Sequence, residues 1–118
     1  MKRYPALSLL ILSASLAGTL SAAEVDGVLM DKMCSMKAAK DGQRAATMHT
    51  RQCAMMPECE KSGYGVFTAD NKFLVLDAAG NEKAVAALKT STKKNNLKVK
   101  VTGEVDGETI KVANLKLQ

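Results

Sequence analysis

The sequence predicts a mainly β domain with two helices, in which five strands are interrupted after the first by one helical insert. Two C-terminal segments, residues 97–101 and 109–117, alternate strictly between apolar and polar or charged residues, the pattern of half-buried strands. A contrasting segment, from about residue 31 to 62, almost lacks β-branched residues and is rich in Met, Ala, Lys and Cys. The strand patterns define the domain, and the contrasting segment is an insert within it.

The first strand and a central hairpin are predicted from short apolar runs. Residues 24–30 form the first strand, with Val25 and Leu29 directed inward. Residues 64–67 and 72–76 are two further strands, and the Asp-Asn pair at 70–71 between them is a turn signal. Three of the five strands are thus predicted within the chain up to residue 76.

Two helices are expected, one inside the insert and one after the hairpin. The first runs through Arg44 to about Met56, is capped by Asp41 or Thr47, and is ended by Pro57. The second is an amphipathic helix over residues 82–89, after a predicted loop at 78–81. The two alternating strands follow, joined through the Asp-Gly turn at 106–107.

The order of these elements is strand, helical insert, two strands, helix, two strands. Five strands with a helix between the third and the fourth is the order of the OB-fold, a small barrel. We therefore expect a five-stranded OB-fold-like barrel. An open antiparallel α+β sheet with two packed helices is the alternative.

The N-terminus has the three parts of a secretory signal peptide. A basic start, Met1-Lys2-Arg3, precedes an uncharged and largely apolar stretch at 6–20, and small residues follow at 21–23. We expect a signal peptide over residues 1–23 and a periplasmic or secreted protein. The apolar stretch is shorter than the ~20 residues that a spanning helix needs, and no later stretch matches it, so the mature protein has no expected membrane span.

The mature chain, residues 24–118, is expected to form a single domain. Removal of 23 of the 118 residues leaves 95, and loss of Lys2 and Arg3 lowers the net charge from +5 to about +3. Only three aromatic side chains remain, those of Tyr64, Phe67 and Phe73. Base stacking needs more aromatic surface on a more basic groove, so no nucleic-acid partner is expected.

Several short motifs resemble a group of small secreted bacterial proteins that share an OB-like domain and have no settled function. The resemblance covers nearly all of the mature chain and supports the expected fold more than any activity. Its motifs here are Asp31-Lys32-Met33-Cys34, His49 with Cys53 and Cys59, Gly63-Tyr64-Gly65-Val66, and Val99-Lys100-Val101-Thr102-Gly103.

The insert contains every cysteine and the only histidine of the chain, and therefore the candidate metal ligands Cys34, His49, Cys53 and Cys59. On one helix, His49 and Cys53 would lie one turn apart on the same face. A Cys3His set suits tetrahedral zinc, whereas thiolates with methionine thioethers suit copper(I). Met55 and Met56 are the candidate auxiliary ligands. Copper and zinc therefore both stay open as the cofactor.

A structural disulfide is the competing interpretation of the same cysteines. In an oxidising compartment Cys53 could pair with Cys59, or Cys34 with either, and no cofactor would then be expected. The insert would become a stapled element of a structural module whose partner is another cell-envelope protein. In either case the methionines can also be ordinary core residues.

An enzyme is not expected. No residue is placed by the sequence to orient His49 as a base for a cysteine nucleophile, and the common catalytic motifs do not occur. A thiol-exchange role, in which Cys34 reacts with a Cys53–Cys59 bridge, is a third and weaker hypothesis. Asp31, Glu58 and Glu60 are interpreted as surface charges. The sequence therefore predicts a binding module for a soft metal ion, with the stapled module as the alternative.

Overall fold

The computed structural model describes residues 22–118, so the predicted signal peptide lies almost wholly outside the described residues. The strands are β1 (Ala23–Asp31), β2 (Tyr64–Phe67), β3 (Phe73–Leu76), β4 (Lys98–Asp106) and β5 (Thr109–Leu117). The helices are α1 (Lys32–Asp41), α2 (Gln43–Met48), α3 (Arg51–Ala54), α4 (Pro57–Ser62) and α5 (Ala78–Thr90). Both the five strands and their order along the chain agree with the prediction. The description "mainly β with two helices" is wrong, because helices contain at least as many of these residues as strands.

The five strands form one mixed sheet with neighbours in the order β1-β2-β3-β5-β4. β1 also pairs with β4, antiparallel from Ala23↔Gly103 to Val28↔Lys98, and this pairing closes the sheet into a barrel. β3 and β5 pair in parallel through Val75↔Thr109 and Leu76↔Ile110. An open antiparallel sheet, the alternative from the sequence, therefore does not describe the molecule.

The barrel interior is filled by the apolar residues of the alternating strands and capped by α5. Leu29, Val66, Val101 and Ile110 are fully buried, as the alternation predicts. Leu88 of α5 is buried in the same cluster. A second, smaller cluster beneath the insert includes Met30 and Phe67, so the insert packs on the barrel rather than extending from it.

The predicted continuous helix at 44–56 is wrong, because the insert folds as four short helices. Gly42, with φ of 83°, separates α1 from α2, a conformation that glycine adopts without steric cost. His49 is extended at the end of α2, and the Thr50 side chain caps α3 by accepting from the Cys53 N–H. Pro57 ends no long helix; it occupies the first turn of α4, where a missing N–H costs nothing.

The second helix is longer than the predicted span of residues 82–89, because residues 78–81 form its first turn and not a loop. α5 begins at Ala78, and the Asp77 side chain caps it by accepting from the Gly80 N–H at 2.9 Å. Gly80 is a buried residue within α5 and does not interrupt the helix. None of the helices within residues 22–118 is both long and apolar enough to cross a membrane.

Candidate metal centre

Asp31 lies at the centre of the candidate site, at the junction between β1 and α1. It is the last residue of β1 and has no solvent exposure. Its Oδ2 accepts the Cys34 N–H at 2.8 Å, so the carboxylate caps the first turn of α1. A carboxylate is a favoured helix cap because it satisfies a free N–H and complements the helix dipole. The interpretation of Asp31 as a surface charge is therefore wrong.

The second oxygen of this carboxylate faces the only histidine of the chain. His49 Nε2 lies 2.8 Å from Asp31 Oδ1, and the imidazole is nearly as buried as the carboxylate. The two atoms are close enough for an ion pair, but their geometry is not that of a hydrogen bond. Neither atom has a hydrogen-bond partner among the described residues. The sequence alone identifies no residue that orients His49, and the structure supplies one, Asp31, from 18 positions earlier in the chain.

Two thiols converge on the same carboxylate. One oxygen of Asp31 and the sulfur atoms of Cys34 and Cys59 all lie within 4.8 Å of one another. Cys59 is buried and Cys34 is half-buried. An ion placed among three such atoms would have one oxygen and two sulfur ligands, a donor set that zinc accepts and that soft ions favour.

Backbone and hydroxyl contacts between α1 and α4 fix the positions of the two cysteines. The Lys32 N–H donates to the Gly63 carbonyl at 2.8 Å, which joins the start of α1 to the end of α4. The Ser62 hydroxyl donates to the Cys59 carbonyl at 2.6 Å and accepts the Met33 N–H at 3.3 Å. Cys34, in the first turn of α1, and Cys59 on α4 are therefore held against each other by contacts that do not involve their sulfur atoms.

The electrostatics of the cluster favour a cation. Burial raises the pKa of Cys34 to about 12, with a further contribution from the Asp31 carboxylate. Burial and then Asp31 also raise the pKa of Cys59. For Asp31, burial acts to raise the pKa, but the His49 and Cys34 contacts hold it below its ordinary value. Asp31 therefore stays charged while both thiols stay protonated, and a bound cation would offset the repulsion that opposes their ionisation.

The four ligands predicted from the sequence are thus divided. Cys34 and Cys59 belong to the close cluster, and His49 contacts its carboxylate. Cys53 is exposed and lies outside the group within 4.8 Å. The helical spacing that was expected to pair His49 with Cys53 does not exist, since one ends α2 and the other lies in α3.

Most methionines of the insert are on its surface rather than in the core. Met30 is buried, and Met55 packs partly buried against the main core, so both fill space. The side chains of four others are 45–65% exposed: Met33, Met36, Met48 and Met56. Core packing therefore does not account for these four thioethers.

The sequence does not reveal that Asp31 is buried, although this residue opens the Asp31-Lys32-Met33-Cys34 motif, because a single acidic residue after an apolar run resembles the polar end of a strand. The available signal was its position three residues before Cys34, directly after a strand and before a helical composition. That is the position of a helix cap, and a capping carboxylate that follows a buried strand is itself drawn inward.

Comparisons with protein-family models, with curated proteins and with solved structures find no match to this chain. The functional proposal therefore depends on the geometry of the site.

Proposed function

We propose that this protein is an exported OB-fold-type binding module that holds one soft or borderline metal ion, copper or zinc, in its insert. The ligands are Asp31, Cys34 and Cys59. The strand order and the parallel pairing of β3 with β5 support the OB-type assignment. The insert joins β1 to β2, and loops of such barrels commonly bind ligands. Export is proposed from the signal-like N-terminus.

The observation that carries the proposal is the convergence of Asp31, Cys34 and Cys59 in a largely buried position. Burying a carboxylate costs free energy unless its charge is compensated, and the groups beside this one include a buried and a half-buried thiol. His49 contacts Oδ1 of this carboxylate, and Oδ2 accepts the neutral Cys34 N–H. A metal ion would neutralise the group, and its binding would release the two thiol protons.

His49 is proposed to orient the carboxylate rather than to bind the ion directly. Its ring nitrogen contacts Asp31 Oδ1, and no nitrogen of His49 belongs to the close group. Outer groups of this kind fix ligand geometry, and their loss typically lowers metal affinity by about 10–100-fold.

A binding role is proposed in preference to catalysis or thiol exchange. A cysteine acts as a nucleophile through its thiolate, and the pKa of Cys34, at about 12, keeps this thiol protonated near neutral pH. Cys53 lacks a base within the cluster, since His49 faces Asp31.

The second candidate is a stapled structural module that contacts another envelope protein. It is favoured by the proximity of the Cys34 and Cys59 sulfur atoms, because these thiols would meet an oxidising compartment after export. All three cysteines are free in this structure. The raised thiol pKa values oppose this alternative kinetically, because disulfide formation proceeds through a thiolate.

Intact mass and elemental analysis of the exported protein, purified without reductant or chelator, distinguish the two candidates. The metal module is expected to contain close to one equivalent of copper or zinc and three free thiols. Cys34→Ser and Cys59→Ser should each lose the metal, and Cys53→Ser is the matched control that should keep it. A metal-free protein with a mass about 2 Da below that of the reduced chain would instead establish the staple.

A further inference from the structure

The candidate site opens to solvent through one cavity of the insert. This cavity has a volume of about 470 Å³ and is lined by Cys34 and His49, which belong to the site or contact it. Cys53 and Met48 line the same cavity and are exposed. The Nε2 atom of His49 faces Asp31 Oδ1, so this lining residue connects the cavity wall to the carboxylate of the site. The cavity therefore joins an exposed thiol and an exposed thioether to Cys34, the half-buried thiol of the site.

From this arrangement, and resting on the proposed function, we infer that Cys53 and Met48 form a capture site for copper(I), from which the ion passes to Asp31, Cys34 and Cys59. Thiolate and thioether sulfur together select copper(I), whereas zinc does not favour a thioether ligand. The half-buried Cys34 is the only cluster sulfur that lines the cavity, so it is the first acceptor.

The charged residues that line the cavity favour a soft ion over a hard cation. Lys37, Arg44 and Asp41 also line it, which leaves a net positive lining. Such a lining repels hydrated hard cations, whose binding depends on carboxylate charge. Copper(I) bound to sulfur depends less on that charge, and it can arrive as an anionic complex with a small carrier.

The transfer is a sequence of ligand exchanges without oxidation or reduction. Copper(I) first binds Cys53 as the thiolate, whose proton passes to solvent, with Met48 as a neutral second ligand. The bond to Cys34 then forms as that to Met48 breaks, and Cys34 releases its proton. Finally the bonds to Cys59 and to the Asp31 carboxylate form as that to Cys53 breaks; Cys59 releases its proton and Cys53 takes one up. In total one copper(I) ion is bound and two thiol protons are released.

Stopped-flow transfer of copper(I) from its bicinchoninate complex tests this route, using the reduced full chain under anaerobic conditions. Loss of the complex's colour gives both the rate and the final extent of transfer. Cys53→Ser and Met48→Leu should each slow transfer by at least tenfold and leave the final extent unchanged. Met36→Leu is the matched control, because Met36 is as exposed as Met48 but does not line the cavity.

Each contrary result identifies what is wrong. Unchanged rates in both variants would overturn the capture site while leaving the metal module intact. A lower final extent in Cys53→Ser would make Cys53 a permanent ligand and overturn its transient role. If wild type binds Zn²⁺ but no copper(I), the inference fails and the proposed function stands; if it binds neither ion, the proposed function fails.

Discussion

Asp31 performs two tasks with one carboxylate. One oxygen caps α1 through the Cys34 N–H, and the other faces His49. The first task is structural and does not need a charge, because an amide oxygen caps a helix about as well as a carboxylate. The second task, and the proposed metal ligation with it, depends on the negative charge. Substitutions at this position can therefore separate folding from binding.

We predict that Asp31→Asn retains the fold but loses the metal, whereas Asp31→Ala loses both stability and the metal. The amide keeps the cap, so its free energy of unfolding should fall by only about 1 kcal/mol or less. Alanine removes the cap and also leaves His49 unpaired, which should cost about 2–4 kcal/mol. Urea denaturation of the metal-free proteins measures these differences, and metal content is measured in parallel. Equal destabilisation by both substitutions would contradict the separation.

Contacts between the short helices and the barrel hold the insert in place. The Tyr64 hydroxyl, buried at the start of β2, donates to the Ala54 carbonyl of α3 at 2.6 Å. The Arg51 guanidinium donates to the Leu88 carbonyl at 2.5 Å and the Lys89 carbonyl at 3.2 Å, in the last turn of α5. A cation at a helix C-terminus also complements the dipole there. The insert is thus joined to both barrel and helix, which gives its short helices the stability that their length cannot supply.

α5 is packed so closely on the barrel that its first turn admits only glycine. A Cβ at Gly80 would lie 2.5 Å from Val112 Cγ2 and 2.9 Å from Leu76 Cβ. The former atom is the end of a side chain, but the latter is fixed to the backbone of β3. The helix and β5 would have to separate to make room.

We predict that Gly80→Ala destabilises the protein by about 1–3 kcal/mol, although alanine is the better helix former by about 1 kcal/mol. Ala86→Gly, at an exposed position of the same helix, is the control for propensity alone and should cost about 1 kcal/mol. Thermal or urea denaturation of both variants measures the effects. A stabilised Gly80→Ala variant would show that this contact relaxes without cost.

The strands could be predicted from the sequence because their signal is local. Alternation fixes which face of β5 is buried, and Asp106-Gly107 marks the turn before it, where Gly107 has φ of 60°. The insert was predicted less well because its four helices are defined by Gly42, by the Thr50 cap and by tertiary contacts. A continuous helical pattern does not reveal such breaks. The cluster itself depends on the spatial proximity of Asp31 and Cys59, which are 28 residues apart in the sequence. A local sequence pattern cannot indicate such a long-range contact.

At the scale of the whole molecule, the candidate site lies where one strand of the barrel meets two helices of the insert. Asp31 ends β1, Cys34 lies in α1, and Cys59 lies in α4. A domain of this size buries a modest fraction of its surface, so a cross-link at such a junction contributes a substantial share of the stability. Either a bound ion or a disulfide would supply such a cross-link. The two exclude each other because both use Cys34 and Cys59.

We predict that metal binding and stability are linked through this junction. A ligand that binds only the folded state stabilises it by about 2.7 kcal/mol at 100 times its dissociation constant, so a metal ion should raise the unfolding temperature in a concentration-dependent manner. Calorimetry of the reduced protein with chelator, with Zn²⁺ and with copper(I) measures the increment. Cys53→Ser should retain the increment for at least one of the two ions, and Cys34→Ser should lose it for both. If reductant alone lowers the unfolding temperature of protein purified without it, and neither ion restores it, the junction is closed by a disulfide.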